Sequence, residues 1–298
     1  MIVAVTGATG FVGRAVVDRA AGAGLSLRAL TRRAQPSRAG ITWIAGALDK
    51  PDSLATLVEG ADAVLHIAGV VSAPDRDGFV AGNIDGTRAM VAAAKAAGIR
   101  RFVHVSSLSA REPELSVYGW SKRQAEDVVT ESGLDWTIVR PSGIYGPHDA
   151  EWLDVFRTAK LGLAFMPPPG KLSLIAVEDF ARLLTTLVAT DGPRAVLEVD
   201  DGQVLTHAEL AAAMGAAVGR RVMTLHLPKA LLSVGAKIDR KLRGKGAKLT
   251  PDRVGYLCHP DWTADPALRP DPALWEPAVP LTKGLADTAR WYRANGLL

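Results

Sequence analysis

The sequence predicts an α/β fold: a doubly wound parallel sheet with a smaller, discontinuous C-terminal domain. Three observations carry this. Over the first 140 residues or so, short apolar runs alternate strictly with Ala-rich helical stretches. The runs are apolar throughout rather than alternating, as strands covered on both faces are. A glycine-rich turn stands between the first run and the first helix, and right-handed crossovers then wind the chain over both faces of the sheet.

The elements follow in order. "IVAVTG" is a strand, "GRAVVDRAAGAG" a helix and "LSLRALTR" the second strand. "GITWIAG" leads into a helix from Asp52 to Glu59, and "DAVLHIAG" is the next strand. "GTRAMVAAAKAAG" is helical, "RFVHVSS" extended, and a helix bearing Tyr118 precedes the strand "LDWTIVRPS". After Pro141 the texture changes, because "PSGIYGPHD" and "FMPPPGKLS" are rich in turn formers. "LIAVEDFARLLTTLVA" reads as a strand tip and helix, and "AVLEVDDG" as one more strand. Helical stretches at 206–218, 228–243 and 282–294 then flank a Pro- and Trp-bearing segment, 259–280. The organisation expected is a dinucleotide-binding domain from 1–145 and 172–200, and a substrate domain from 146–171 and 201–298. No internal repeat or low-complexity tract interrupts it.

Composition bounds the function. A chain of 298 residues with 48% apolar and 22% charged residues can bury a sizeable core. A net charge of +4 does not mark a polyanion binder, and no nucleic-acid partner is expected. The charge is uneven, with ten Lys/Arg against two Asp between Gly219 and Arg253. Cys258 is the single cysteine, so no internal disulfide forms, which fits a reducing, cytoplasmic compartment. A strand-like run from Ile2 leaves no room for a secretory leader, and no apolar run reaches the ~18 residues of a membrane span. His66, His104, His148, His207, His226 and His259 show no metal-ligand spacing, so no metal is expected.

"VTGATGFVG" places Gly7, Gly10 and Gly13 between strand and helix. Glycines permit the tight turn, let backbone approach a pyrophosphate, and seat the helix near the sheet, while the helix N-terminus presents free N–H groups. A lone glycine triplet is a weak signal; one framed by a strand and a helix is specific to a Rossmann-type site. Dinucleotide sites usually carry an acid about twenty residues on, for the ribose 2′-OH. Here the second strand ends Thr31-Arg32-Arg33. Two guanidiniums suit a 2′-phosphate, so NADP(H) is favoured over NAD(H), with Arg32 first and Arg33 second.

"SVYGWSK" sets Tyr118 four residues before Lys122, a spacing that brings side chains together on any helix. A free tyrosine titrates near 10, too high for proton exchange at neutral pH unless a fixed cation favours the phenolate. Together the N-terminal glycine motif, "HIAG" at 66–69, "NIDGT" at 83–87, "VHVSS" at 103–107, Tyr118-x-x-x-Lys122 and "RPSGIYGP" at 140–147 resemble the extended and atypical short-chain dehydrogenase/reductases, the NAD-dependent epimerase/dehydratase-like superfamily. The closing "GLADTARWYRANGLL" extends the resemblance over essentially the whole chain. The resemblance implies an oxidoreductase in which Tyr118 is the general acid/base, Lys122 its electrostatic partner and Ser107 the hydrogen-bond donor to substrate, ahead of Ser106 and Ser109. It implies cofactor contacts from Thr6, Gly7, Thr9, Gly10, Phe11, Val12, Gly13, Arg32, Arg33, Leu48, Ala68, Gly69, Asn83, Tyr118, Lys122, Pro141 and Ile144. The family's acid for adenine is replaced by Ala47, with Asp49 displaced, which leaves adenine to backbone near Leu48.

Within the superfamily, "SSLSAREPELSVYGWSKRQAE" is similar to bacterial ketone reductases of ceramide-like lipids and to relatives of the complex I nucleotide-binding accessory subunit. This implies NADPH-dependent reduction of a ketone to a secondary alcohol on a hydrophobic substrate of lipid metabolism, such as an oxo-ceramide, sphingoid or sterol-like ketone. The short interval from Ser107 to Tyr118 disfavours a large polar substrate. Two other functions fit the fold: a nucleotide-sugar epimerase or dehydratase with tightly held NAD, and a non-catalytic dinucleotide-binding subunit. "LGLAFMPPPGKL" and "YLCHPDW" read equally as pocket lining or as core. In the basic segment 229–248, Leu231, Val234, Ile238 and Leu242 share one helical face, with Lys237, Arg240 and Lys241 around it. Such a helix lies on anionic lipid at the inner membrane surface, or packs on its own domain with a solvated basic face. A homodimer through a helix pair is compatible with the fold.

Overall fold

The computed structural model describes residues 1–247 and 249–298. Its central element is a seven-stranded parallel sheet. In chain order the strands are β1 (Ile2–Thr6), β2 (Ser26–Thr31), β3 (Ile41–Ala45), β4 (Ala63–His66), β5 (Arg101–Val105), β6 (Asp135–Pro141) and the edge strand Val196–Val199. Across the sheet the order is edge strand, β6, β5, β4, β1, β2, β3. The direction of winding reverses between β1 and β4, whose register pairs Val5 with Leu65 and Thr6 with His66. Such a reversal opens a crevice at the carboxyl ends of the strands, where doubly wound folds bind their ligands.

The helices of this sheet are α1 (Phe11–Ala20), α2 (Pro51–Val58), α3 (Arg76–Phe79), α4 (Gly86–Ala96) and α5 (Val117–Thr130). A π-turn, Val80–Asp85, joins α3 to α4. Leu54, Leu57, Met90, Ala94, Phe102, Val129 and Ile138 form a core under one face, each with essentially no exposure.

The chain divides into two compact units. One comprises Met1–Pro141, Phe180–Glu198 and Ala267–Glu276; the other comprises Ser142–Asp179, Val199–Pro266 and Pro277–Leu298. These boundaries differ from those drawn on the sequence, for local reasons. Gly143–Tyr145 belongs to the second unit because it pairs with Leu174–Ala176, Ile144 opposite Ile175. Residues 267–276 belong to the first because Trp275 is buried there, with the Arg182 guanidinium 5.3 Å from its ring centre and bonded to Glu276 O.

The second unit packs Tyr145, Phe156, Leu174, Met214, Leu285 and Tyr292 into its own core. The Tyr292 hydroxyl donates to buried Asp149 at 2.9 Å. Its helices His207–Val218, Lys229–Arg243 and Leu281–Ala294 match the periodic stretches of the sequence to within a residue or two. The turn-rich segment held a strand the sequence did not show: Leu163–Met166 pairs in parallel with Met223–His226, nearly sixty residues later. "LGLAFMPPPGKL" is accordingly neither all pocket nor all core, since Ala164 and Met166 are buried while Leu161 and Phe165 are exposed. In "YLCHPDW", Tyr256 and Trp262 are half-buried and joined by a 2.8 Å bond from the indole N–H to Tyr256 O. Lys248, the last residue of the basic segment, lies outside the described residues.

Candidate active site

The turn after β1 is shaped by its three glycines in three different ways. Gly7 has φ of +77°, and a Cβ on it would lie 2.7 Å from Ala68 N. A Cβ on Gly13 would fall 2.1 Å from Gly7 O and 2.6 Å from Ala8 Cα, so α1 leaves the turn too closely for any side chain. Gly10 caps α1 without a side-chain bond, and a Cβ there meets only Gly7 O, at 3.3 Å. Its outer side is open, and no acid stands in the first turn of α1. An open glycine at a helix N-terminus, with free N–H groups and a positive dipole, fits a dinucleotide pyrophosphate. Thr9, Phe11 and Val12 stand half-buried around it.

Thr6 supports this turn from inside. Its side chain is fully buried; the hydroxyl lies 2.6 Å from His66 Nδ1 and accepts from Ala68 N–H at 3.2 Å. The far ring nitrogen, His66 Nε2, lies 3.0 Å from Thr87 Oγ1, and that hydroxyl donates to Asn83 O at 2.6 Å. Thr87 has one hydrogen to give, so it accepts from Nε2–H, and Nδ1 in turn accepts from Thr6. His66 is thereby assigned as the neutral Nε2–H tautomer. Burial, and then the nearby Lys122 charge, lower its pKa from 6.5 to about 3. His104, paired with it in register, stacks on it with ring centres 5.3 Å apart. It is buried, neither ring nitrogen has a hydrogen-bond partner, and its pKa is pushed well down by burial first and by Lys122 next.

Helix α5 starts at Ser116, whose hydroxyl accepts from Gly119 N–H at 2.9 Å. A Cβ on Gly119 would lie 2.5 Å from Ser109 O, so this glycine lets the first turn of α5 lie directly on the segment Leu108–Arg111. Tyr118 and Ser107 are thus borne by two elements in immediate contact. Tyr118 packs its ring against Phe79, centres 6.3 Å apart. Ser107 bonds to Ser109, accepting from its N–H and donating to its hydroxyl, both at 3.2 Å. Ser106 is turned inward, its hydroxyl donating to Glu126.

One helical turn beyond Tyr118, Lys122 is only 4% exposed. Its ammonium donates to Val105 O at 2.8 Å and lies 3.7 Å from where a Cβ on Gly69 would stand. Burial lowers its pKa to about 8, against the opposing pull of Glu126. Glu126 receives Arg140 in a forked pair at 2.8 and 2.6 Å, and Arg140 continues to Glu198 at 3.3 Å. Arg111 closes on the other Glu198 oxygen at 3.1 Å. Alternating charges therefore run beneath the site, and neither Glu126 nor Arg140 was singled out by sequence reasoning.

The remaining candidates fall at several depths. Ala68 and Gly69 follow β4 at the same sheet edge. Asn83, 1% exposed, engages its whole amide with Val70 N and O and with Ser121 Oγ, so it clamps the π-turn to the loop after β4 and to α5. Arg32 and Arg33 are exposed just past β2, beside the glycine turn. Thr31 Oγ1 folds this end by donating to Arg33 O. Leu48 is half-buried against Gly86. Pro141 is the buried last residue of β6, and Ile144 lies in the second unit.

Comparison with known proteins shows the family and the fold. A family model described as NAD(P)H-binding matches residues 7–165. A ceramide reductase of Caulobacter vibrioides is 36% identical over 313 residues, covering all of this chain and 96% of that one. The 4-hydroxy-2-methyl-3-oxo-4-farnesyl-3,4-dihydroquinoline-1-oxide ketoreductase of Stigmatella aurantiaca is 32% identical over 184 residues, 52% of this chain and 55% of that one. In fold, the dTDP-glucose 4,6-dehydratase DesIV of Streptomyces venezuelae, solved with NAD and TYD bound, superposes with a TM-score of 0.76 at 20% identity, covering 99% and 98% of the chains.

Two outcomes follow from the geometry. Gly10→Ala should melt like wild type yet bind NAD(P)H more weakly by about tenfold or more, roughly the loss of one good phosphate contact, whereas Gly13→Ala should lose stability outright; calorimetry on each variant separates them. Because the folded histidines stay neutral while unfolded ones take up protons below about pH 6.5, the unfolded state binds more protons as pH falls from there toward about 3. Urea-unfolding free energy should therefore drop with falling pH, by up to about 1.4 kcal/mol per pH unit for each histidine. His104→Leu should flatten that slope, and an unchanged slope would count against buried neutral His104.

Proposed function

The chain belongs to the NAD(P)H-binding family of short-chain dehydrogenase/reductase-like enzymes, and from that premise we propose that it reduces a ketone to a secondary alcohol on a hydrophobic, lipid-like substrate, with NADPH as reductant. The observation that carries the reading is the buried Lys122 ammonium, fixed on Val105 O one helical turn from Tyr118 and beside Gly69.

NADPH, when bound, supplies the hydride to the carbonyl carbon. The chain supplies the proton and its placement. Ser107 donates a hydrogen bond to the carbonyl oxygen and draws electron density from the carbon. Tyr118 transfers its phenolic proton to that oxygen as the alcohol forms, leaving a phenolate that is reprotonated from solvent. Lys122, an ammonium below about pH 8, stabilises that phenolate and so brings the tyrosine toward a useful pKa. Glu126 and Arg140, both buried, hold the lysine's helix against β6. Arg32, with Arg33 behind it, receives the 2′-phosphate that distinguishes NADPH from NADH.

Support for a lipid-like ketone comes from the relative named a ceramide reductase, which matches the whole chain, and from the ketoreductase named for a farnesyl-bearing substrate. The eleven-residue step from Ser107 to Tyr118 leaves little loop to grip a large polar group.

Purified protein should oxidise NADPH when given long-chain ketones such as an oxo-ceramide, and should leave UDP-sugars unchanged. Tyr118→Phe should lose about 10²–10⁴-fold in kcat, the usual weight of a positioned acid, with KM little altered. Turnover of sugar nucleotides without net NADPH loss would overturn the reading. Separately, Arg32→Ala should raise KM for NADPH by about tenfold or more, as removal of a charge-assisted phosphate contact does, while KM for NADH stays put. An equal rise for both cofactors would remove Arg32 from 2′-phosphate recognition.

A further inference from the structure

We propose that the helix Lys229–Arg243, in the second unit, is a docking surface for an anionic phospholipid bilayer, on which it lies flat. The argument is independent of the substrate reading above and begins from an inversion. An amphipathic helix in a globular protein normally turns its apolar stripe to the core. This one turns it out. Leu231, Val234 and Ile238 are 54%, 52% and 54% exposed and Leu242 is 78% exposed, while Ala236 is the single buried residue of the helix. At 100° per residue these four side chains occupy one narrow arc. Of the two arrangements the sequence leaves open, packing on its own domain through that stripe is not the one these exposures describe.

The inward side is occupied by other means. Asp239 accepts from Leu249 N–H at 2.9 Å and pairs with Arg243 at 3.2 Å, and Gly235 faces Leu249. Because Asp239 is the only acid on the helix, Lys229, Lys237, Arg240, Lys241 and Arg243 leave it strongly cationic. Lys237 and Lys241 border the apolar arc. The strand leading into the helix also exposes apolar side chains, Leu225 lying opposite exposed Phe165 in the ladder. No helix among the described residues is long and apolar enough to cross a membrane, so what is built here is a face that sinks to headgroup depth.

Charge selects the occupant. A second copy docking through this face would, in a two-fold contact, bring the same cations against themselves. A surface of apolar side chains bordered by lysines, on a helix of net positive charge, instead matches an interface that is oily below and negative above.

Flotation of the full-length protein with vesicles tests this, using phosphatidylcholine alone and phosphatidylcholine mixed with phosphatidylglycerol. Binding to the mixed vesicles should be at least about tenfold stronger than to phosphatidylcholine and should weaken with salt. The exposed double variants Ile238→Asp/Leu242→Asp and Lys237→Glu/Lys241→Glu should each melt as wild type does and lose the binding by about tenfold or more, with turnover of a water-soluble ketone unchanged. Failure to float with mixed vesicles, equal binding to both vesicle types, or binding untouched by both variants would overturn the proposal. So would a wild-type dimer that Ile238→Asp dissociates, which would hand the face to a second copy.

Discussion

A lysine ammonium held out of water is the constraint around which the first unit is organised. Removing a cation from solvent is costly unless hydrogen bonds and opposite charge replace its hydration. Lys122 has one backbone carbonyl within reach, at the end of β5, and one carboxylate a turn away on its own helix. That carboxylate is itself held by Arg140, from β6, and the arginine by Glu198, from the edge strand. Three neighbouring strands and α5 are thus tied by charges of alternating sign, and none of these groups can be removed without stranding the next.

The neutral histidines answer the same constraint from the opposite side. Two imidazoles within reach of a buried cation must stay uncharged, and they do so differently. His66 is locked into one tautomer by a relay from Ala68 N–H through Thr6 to Thr87 and Asn83 O. His104 has no partner and is held by packing alone. The relay also joins the glycine turn to the π-turn, so the shape of the phosphate loop and the placement of α5 are coupled through one ring.

Much of this was legible in the sequence, and the boundary is physical. The glycine turn, the parallel strands and the Tyr118–Lys122 helix are local patterns, each written within about fifteen residues. Ser106 and Ser107 are alike in the sequence, and only the structure shows that Ser106 points inward to Glu126. What escaped depends on contacts far apart in the chain. The pairing of Leu163–Met166 with Met223–His226 sets β-structure in a segment whose prolines signal a loop. The His66 relay joins residues that look like ordinary core polar groups. Gly119 was visible between Tyr118 and Trp120, but only the approach of Ser109 O shows why it must be glycine. The basic segment is legible as a helix, but periodicity does not tell which side of it faces water.

The division of the chain carries a consequence for how it is made. The polypeptide passes between its two compact units five times, at 141/142, 179/180, 198/199, 266/267 and 276/277. When the first 141 residues have left the ribosome, six strands are present but β6 still offers an unpaired edge, and Arg140 still lacks Glu198. Both wait for residues 196–199, and Trp275 arrives later still. An open strand edge above a half-neutralised buried arginine is a state prone to wrong pairing, so the nascent chain is exposed to aggregation for the time taken to synthesise about a fifth of its length.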